Sequence, residues 1–250
     1  MHIALRELLV RVCLAGCLAT PLPLTARAQS PTVADARPTV AVMDFDNAAL
    51  LRHSDYESIG KGIAGILNTE LSANSGLRVV DRQSLHQLLE EQKLGSSDRV
   101  SPETAVRIGK LLGAHHMIFG SVFVDLNNRM RVDVRSVNVE TSQLEYATSR
   151  TDAADNIIAL VTEVARTMNK EMKLPAITAR PKRTSSAPVP AGNRSRAVLL
   201  YSRALEQRDR GNIEQATTFC REALSLYPDL DAAQKELARL QTPGAGAGKS

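Results

Sequence analysis

The chain has 250 residues, with 31 basic and 27 acidic side chains, a formal net charge of +4 and a pI of about 9.1. A 43% hydrophobic content supplies a core and excludes wholesale disorder. Four Phe, four Tyr and no Trp argue against the aromatic platforms on which nucleic-acid bases stack, so no nucleic-acid partner is expected.

The positive charge is unevenly placed. Residues 29–173 hold 16 basic and 19 acidic side chains, and residues 197–250 hold seven of each. The excess sits at the N-terminus and in residues 174–196, which carry five Arg or Lys, four Pro and no acid. A basic pI therefore describes a leader and a tether rather than the folded parts.

Residues 1–28 read as an export signal. Arg6 and Arg11 form the positive region, Val12–Leu24 the apolar run, and Ala26-Arg27-Ala28 an A-x-A site that predicts cleavage between Ala28 and Gln29. The run is too short to span a bilayer. A competing reading takes Leu14-Ala15-Gly16-Cys17 as a lipobox, with Cys17 lipidated. Arg11, six residues before Cys17, leaves that reading little hydrophobic region. Both readings export the chain: the first to the periplasm, the second to an outer-membrane lipoprotein facing it. After cleavage only Cys220 remains, which excludes an intramolecular disulfide and suits a packed thiol.

Residues 38–173 alternate strand and helix patterns. Thr39–Phe45 is a nearly continuous apolar run, as in a strand covered on both faces. Ser58–Ala73 predicts a helix from Ile59, Ile63, Ile66, Leu67 and Leu71, and Leu77–Val80 a second strand. Asp81 is placed to cap a helix carrying Leu85, Leu88 and Leu89. Ser101-Pro102 opens the next helix and Gly113 stops it. His116–Val124, a two-residue Asn127-Asn128 turn and Arg129–Glu140 read as a hairpin. Met130, Val132 and Val134 alternate with Arg129, Arg131, Asp133 and Arg135, so one face is buried and the other wet. Val137 and Val139 break that parity and predict a bulge near Arg135-Ser136. Leu144–Ser149 is a further strand, and Asp152 a cap for a helix with Ile157, Ile158, Val161, Ala165 and Met168 on one side. The fold class is α/β (α+β): a sandwich of a mixed sheet with helices packed on it, its antiparallel half exposed on one face.

Residues 174–196 read as a Pro-rich basic linker, 197–241 as a small all-α helix-turn-helix unit, and 242–250 as a flexible tail. Leu200, Ala204, Gly211, Ala216, Phe219, Cys220, Ala223 and Pro228 are spaced much as in a tetratricopeptide repeat. Gln207 and Arg203 stand where that family is usually apolar. One repeat cannot bury its own face. It must dock on the first module, on a second copy or on a partner.

Chemistry-bearing motifs are few. Lys249-Ser250 ends a P-loop-like string that lacks the strand before it and the helix after it. His115 and His116 point to opposite faces of a strand and do not share an ion. Asp44, Asp46 and His53 follow the first strand and form the basis of a metal or small-ligand alternative. With no nucleophile elbow and no local Cys-His signature, the chain reads as non-enzymatic, without cofactor or catalytic residues.

Thr39-Val-Ala-Val-Met-Asp-Phe45, Val80-Asp-Arg-Gln-Ser-Leu85, Leu88–Gln92, Ile108–Ala114, Ile118–Val122 and Val137–Thr141 together resemble the CsgG family of curli-type secretion lipoproteins. That fold family includes FlgO, LpoB and TolB-like amino-terminal domains. The resemblance implies a periplasmic core domain over about residues 38–172. The family's membrane pore does not carry over, because the tight hairpin turn leaves no long barrel strands. The expected function is a protein–protein interaction module in secretion, surface-structure assembly or outer-membrane biogenesis. The expected partners are envelope proteins or further copies of the chain, with peripheral or lipid-anchored membrane association. Two alternatives stand beside it: a regulator of a peptidoglycan synthase, as the resemblance implies, and the ligand sensor built on Asp44, Asp46 and His53.

Overall fold

The computed structural model describes residues 37–48, 56–92, 101–175 and 189–242. A mixed sheet runs in the order β3 (Arg78–Val79), β1 (Thr39–Val42), β4 (His116–Val124), β5 (Arg129–Asn138), β6 (Leu144–Ala153), with β2 (Asp46–Asn47) also paired to β4. β1 is parallel to β3 and β4, and β2 is parallel to β4. β4, β5 and β6 are successively antiparallel. This is the expected mixed α/β sheet.

Helices lie on both faces. The first face packs α1 (Ile59–Leu71) and α4 (Ile157–Glu171) over Val40, Ile118, Val122, Val132 and Val134. The second carries α2 (Arg82–Glu91) and α3 (Pro102–Leu112), whose Leu85, Leu89, Ala105 and Ile108 close over Ala41, Met43, Met117, Phe119, Val137 and Val139. The helix ends follow local chemistry. Asp81 accepts a hydrogen bond from the Gln83 amide, Ser101 accepts one from the Thr104 amide with Pro102 behind it, and Gly113 turns left-handed at φ 63° to end α3.

Two local expectations are corrected and a third is located more closely. The hairpin loop has three residues rather than two. The Asp125 amide donates to the Arg129 carbonyl, the Asn128 amide to the Asp125 carbonyl, and Asn128 adopts φ 56°. A type I turn followed by one left-handed residue gives that loop, and Asp125 fastens it by accepting from the Asn127 and Arg129 amides. The bulge expected near Arg135-Ser136 is present as a register shift at Ser136/Val137 against β6, while the ladder of β5 to β4 runs unbroken through Ser136, Val137 and Asn138. Both sides of β5 are buried there because α3 begins to cover the second face. The register shift falls in the β5–β6 pairing, where Ser136 meets Tyr146, Val137 meets Leu144, and Glu145 is left over. Asp152 lies within β6, accepts from the Ala153 amide and Asn156 side chain, and does not cap α4.

The C-terminal helices are α5 (Ala191–Asp209), α6 (Ile213–Leu226) and α7 (Asp231–Gln241). α5 begins after Pro190, inside the stretch read as linker. Gly211, at φ 81°, turns the chain into α6. These helices dock on the α/β layer, and one apolar cluster runs from Val40 and Ile63 through Val198, Tyr201 and Leu205 to Ala233. The described residues thus belong to one compact unit. The crossing of α1 and α5 depends on missing side chains. A Cβ at Gly62 would lie 1.9 Å from Ser202 Oγ, and one at Gly65 would lie 2.3 Å from the Tyr201 hydroxyl. Beyond the lobe, Asn74 and Asn169 both donate to the Pro175 carbonyl, fixing where the chain leaves α4.

Gly62→Ala is expected to cost about 1–3 kcal/mol through overpacking, with Ser202→Gly restoring most of it. Urea denaturation of the single and double variants measures this. Additive losses would contradict the close crossing.

Candidate functional site

Asp44 follows β1 and sits at the centre of an ion network that links both parts of the fold. Arg82, in the first turn of α2, donates to Asp44 at 3.1 and 2.9 Å and to Asp209, the last residue of α5, at 2.8 and 2.9 Å. Lys61 of α1 reaches Asp209 at 2.6 Å and Asp44 at 3.6 Å. Arg208 joins Asp209 at 3.3 Å and Glu236 of α7 at 2.7 Å. Three acids and three bases balance, so the cluster carries no net charge into the interior.

Burial raises the Asp44 and Asp209 pKa values, but the Arg82 and Lys61 charges outweigh it, and both carboxyls are held below their ordinary value of 3.8. Arg82 is likewise held firmly protonated: burial opposes the charge and the two carboxylates override it.

This use of Asp44 bears on the sequence's metal candidates. Its carboxylate is taken up by Arg82 and Lys61. Asp46 lies in β2 opposite Ser121, and His53 falls outside the described residues. Among the described residues no three His, Cys, Asp or Glu side chains gather as a cation site. His115 is exposed, and its Nδ1 accepts from the Thr39 amide at 2.9 Å, tying the start of β4 to β1. His116 Nδ1 lies 2.7 Å from Glu145 Oε1, which also accepts from buried Ser136 at 2.8 Å. Cys220 is fully buried, and burial, with Glu236 nearby, pushes its thiol up to about 12, so it packs rather than reacts. Cys17, Ala28, Gln29 and the Gly-rich tail lie outside the described residues.

The surface most available for recognition is the second face of β4, β5 and β6, which α2 and α3 leave open beyond Phe119 and Val137. Arg129, Arg131, Asp133 and Arg135 stand on it in one row of β5, beside Ser149 and Thr151 of β6. Arg131 pairs with Asp133 at 2.8 Å, and Ser149 also donates to Asp133. Arg129 and Arg135 make no side-chain ion pair among the described residues. The row is therefore basic, with two uncommitted guanidinium groups.

The outer edge of β6 is more guarded. The Ala154 amide turns inward to the Asn128 carbonyl, so by the period of two Ala147, Ser149, Thr151 and Ala153 point their backbone groups away from β5. Arg150 covers the Ser149 carbonyl at 3.0 Å, and Asp152 covers the Ala153 amide at 2.7 Å. Side chains laid over a free edge in this way blunt it against further strands. The helical unit offers less than its spacing suggested. Val198, Tyr201, Ser202 and Leu205 of α5 face the α/β layer and are buried.

The ion network was missed from sequence because its members are scattered from Asp44 to Glu236. Two local signals do mark it. Arg82 is a base in a helix's first turn and Asp209 an acid in a helix's last turn, each opposed to the helix dipole.

A family model described as "Curli production assembly/transport component CsgG" matches residues 23–124, ending with β4. This is the family that the sequence motifs resemble. No curated protein matches the chain at a significant level. Among solved structures, the LpoB C-terminal domain from Salmonella enterica is 15% identical with a TM-score of 0.35, covering 46% of this chain and 82% of that one. Lipoprotein GNA1162 from Neisseria meningitidis is 12% identical at TM-score 0.36, covering 46% and 79%. TolB from Acinetobacter baumannii is 12% identical at TM-score 0.39, covering 56% and 29%. Among the described residues no helix is long and apolar enough to cross a membrane.

Asp209→Asn is expected to cost about 3–5 kcal/mol at pH 7, because it leaves buried cations in excess. The native pKa is depressed, so the carboxylate's stabilisation is complete above the unfolded value near 3.8 and fades as pH falls below it. Urea titrations from pH 7 to pH 3 should show the gap to wild type narrowing below about pH 4. A gap independent of pH would contradict the network's role.

Proposed function

We propose that this chain, matched to the CsgG family over residues 23–124, is an exported envelope protein that works by binding other proteins and catalyses no reaction. An envelope setting is what the family match supports. The finer role is a binding module in secretion, surface-structure assembly or outer-membrane biogenesis. The observation that carries it is the open basic face of β4–β6. Among the described residues the rest of the sheet is covered by helices of the same chain, and this face combines a flat, extended backbone scaffold with uncommitted charge at Arg129 and Arg135.

Such a face suits an acidic protein surface. Arginine presents several donors in a fixed plane, and a rigid sheet holds the row in register. Charge attraction across an exposed face speeds encounter more than it tightens the final complex, and salt weakens it. The rigid ion network contributes by keeping the helical lobe folded against the first face, away from this surface. Association through Arg129, Arg131 and Arg135 requires no movement of the lobe.

A photo-crosslinking residue placed at Thr151 or Arg135 in cells should capture envelope proteins. One placed at Gln215, exposed on α6, should not. Arg129→Glu together with Arg135→Glu should abolish capture at Thr151 while leaving the melting temperature within a few degrees. Equal capture from Gln215, capture that survives charge reversal, or retention of the chain in the cytoplasm would each overturn this reading.

A further inference from the structure

His86 stands one turn after Arg82 on α2, so the two side chains share a face, and both look toward the end of α5. The imidazole is mostly buried, with 17% of its side chain exposed. Its Nδ1 is fully enclosed and has no hydrogen-bond partner among the described residues. Oδ2 of Asp209 lies 4.0 Å from it, beyond hydrogen-bond reach. A buried ring nitrogen without a partner is uncommon, and this one borders the network that holds the lobe in place.

Asp209 has no site left for it. An ionised carboxylate offers about four lone-pair positions. Its Oδ2 accepts from Lys61 at 2.6 Å and from Arg82 at 2.9 Å. Its Oδ1 accepts from Arg82 at 2.8 Å and from Arg208 at 3.3 Å. A neutral His86 leaves this set undisturbed. A protonated His86 carries an N–H on both ring nitrogens. The hydrogen on Nδ1 would then have to displace Lys61 or Arg82, or stay buried without an acceptor.

The charges that face the ring are Asp209 from α5, Lys61 from α1, Arg82 from α2 itself and Asp44 from the end of β1. They belong to a network balanced at three acids and three bases, so a proton on His86 adds a fourth base without a fourth acid. Burial lowers the pKa of His86 below its ordinary 6.5. Lys61 and Arg82 push the same way, and Asp209 and Asp44 oppose them without prevailing.

We propose that His86 makes the attachment of the helical lobe sensitive to acid: neutral, it leaves the grip on Asp209 intact, and protonated, it sets an unmatched buried cation against that grip. The lobe and the α/β layer share one apolar cluster, so the loss falls on the whole unit. The unfolded chain takes up the proton near pH 6.5 and the folded chain only at lower pH. Stability is therefore complete above 6.5, falls as the medium acidifies below it, and levels off under the native pKa. This device does not involve the open sheet face, and either could fail alone.

The test uses the full mature chain. Proton NMR of the His86 ring should give a titration midpoint below 6.5. Urea denaturation at pH 7.5 and 5.5 should show this residue lowering the folded-to-unfolded ratio by up to about tenfold, the limit that one proton sets over the unit below 6.5. His86→Gln keeps a polar side chain that takes up no proton, and should lose most of that dependence. His115, whose Nδ1 accepts from the Thr39 amide, is the rival source of acid sensitivity, and His115→Gln should keep the dependence. A native midpoint at or above 6.5, equal pH dependence in wild type and His86→Gln, or a dependence abolished by His115→Gln instead would overturn the proposal. The midpoint is read on the wild-type chain, so it decides the matter even where His86→Gln fails to fold.

Discussion

The contact on which this architecture turns is the shared grip of Arg82 and Lys61 on Asp44 and Asp209. Buried ion pairs are weak sources of net stability, because desolvation offsets most of the attraction. Their strength is geometric. A guanidinium with two carboxylates on it accepts few alternative arrangements, and a lone buried charge is far costlier than the intact set. Asp44 belongs to the exit of β1, Arg82 to α2, Lys61 to α1 and Asp209 to the end of α5. The network therefore sets where the helical lobe sits, while the apolar cluster from Ile63 to Ala233 supplies the driving force for it to sit anywhere.

The neighbouring features follow from that placement. With α5 held across α1, Gly62 and Gly65 have to be bare. With α7 carried alongside, Glu236 meets Arg208, and Arg239 meets Asp81. A cavity of about 350 Å³ remains between them. α1 and α4, with the lobe packed over them, cover the first face of the sheet, and α2 with α3 cover half of the second. The remaining half of the second face is left as the broad surface open to another protein.

Much of the α/β core was legible because its signals are local. Caps at Asp81 and Ser101, the stop at Gly113, and alternation through β4 and β5 each depend on residues a few positions apart. Where reading failed, a distant element had intervened. The register shift at Ser136/Val137 was placed correctly, but the parity change at Val137 and Val139 comes from α3, from elsewhere in the chain, which covers their side of β5. Asp44 resembled a metal ligand because its partners Arg82 and Lys61 lie 38 and 17 positions away on two separate helices. Spacing-based reasoning treats an acid after a strand as free. The structure finds its counter-charge already present. The helix-dipole violations at Arg82 and Asp209 were the available warning, since residues that break a local rule often serve a tertiary one.

The lobe and the α/β layer form one cooperative unit, locked by the buried charges. Native-state hydrogen exchange measures this most directly. Amides of α5 around Tyr201–Leu205 should open with the same free energy as those in the middle of β4, and both should fall together in a destabilising variant. Exchange of α5 several orders of magnitude faster than β4, with β4 unaffected, would show a lobe that opens on its own and would contradict the account.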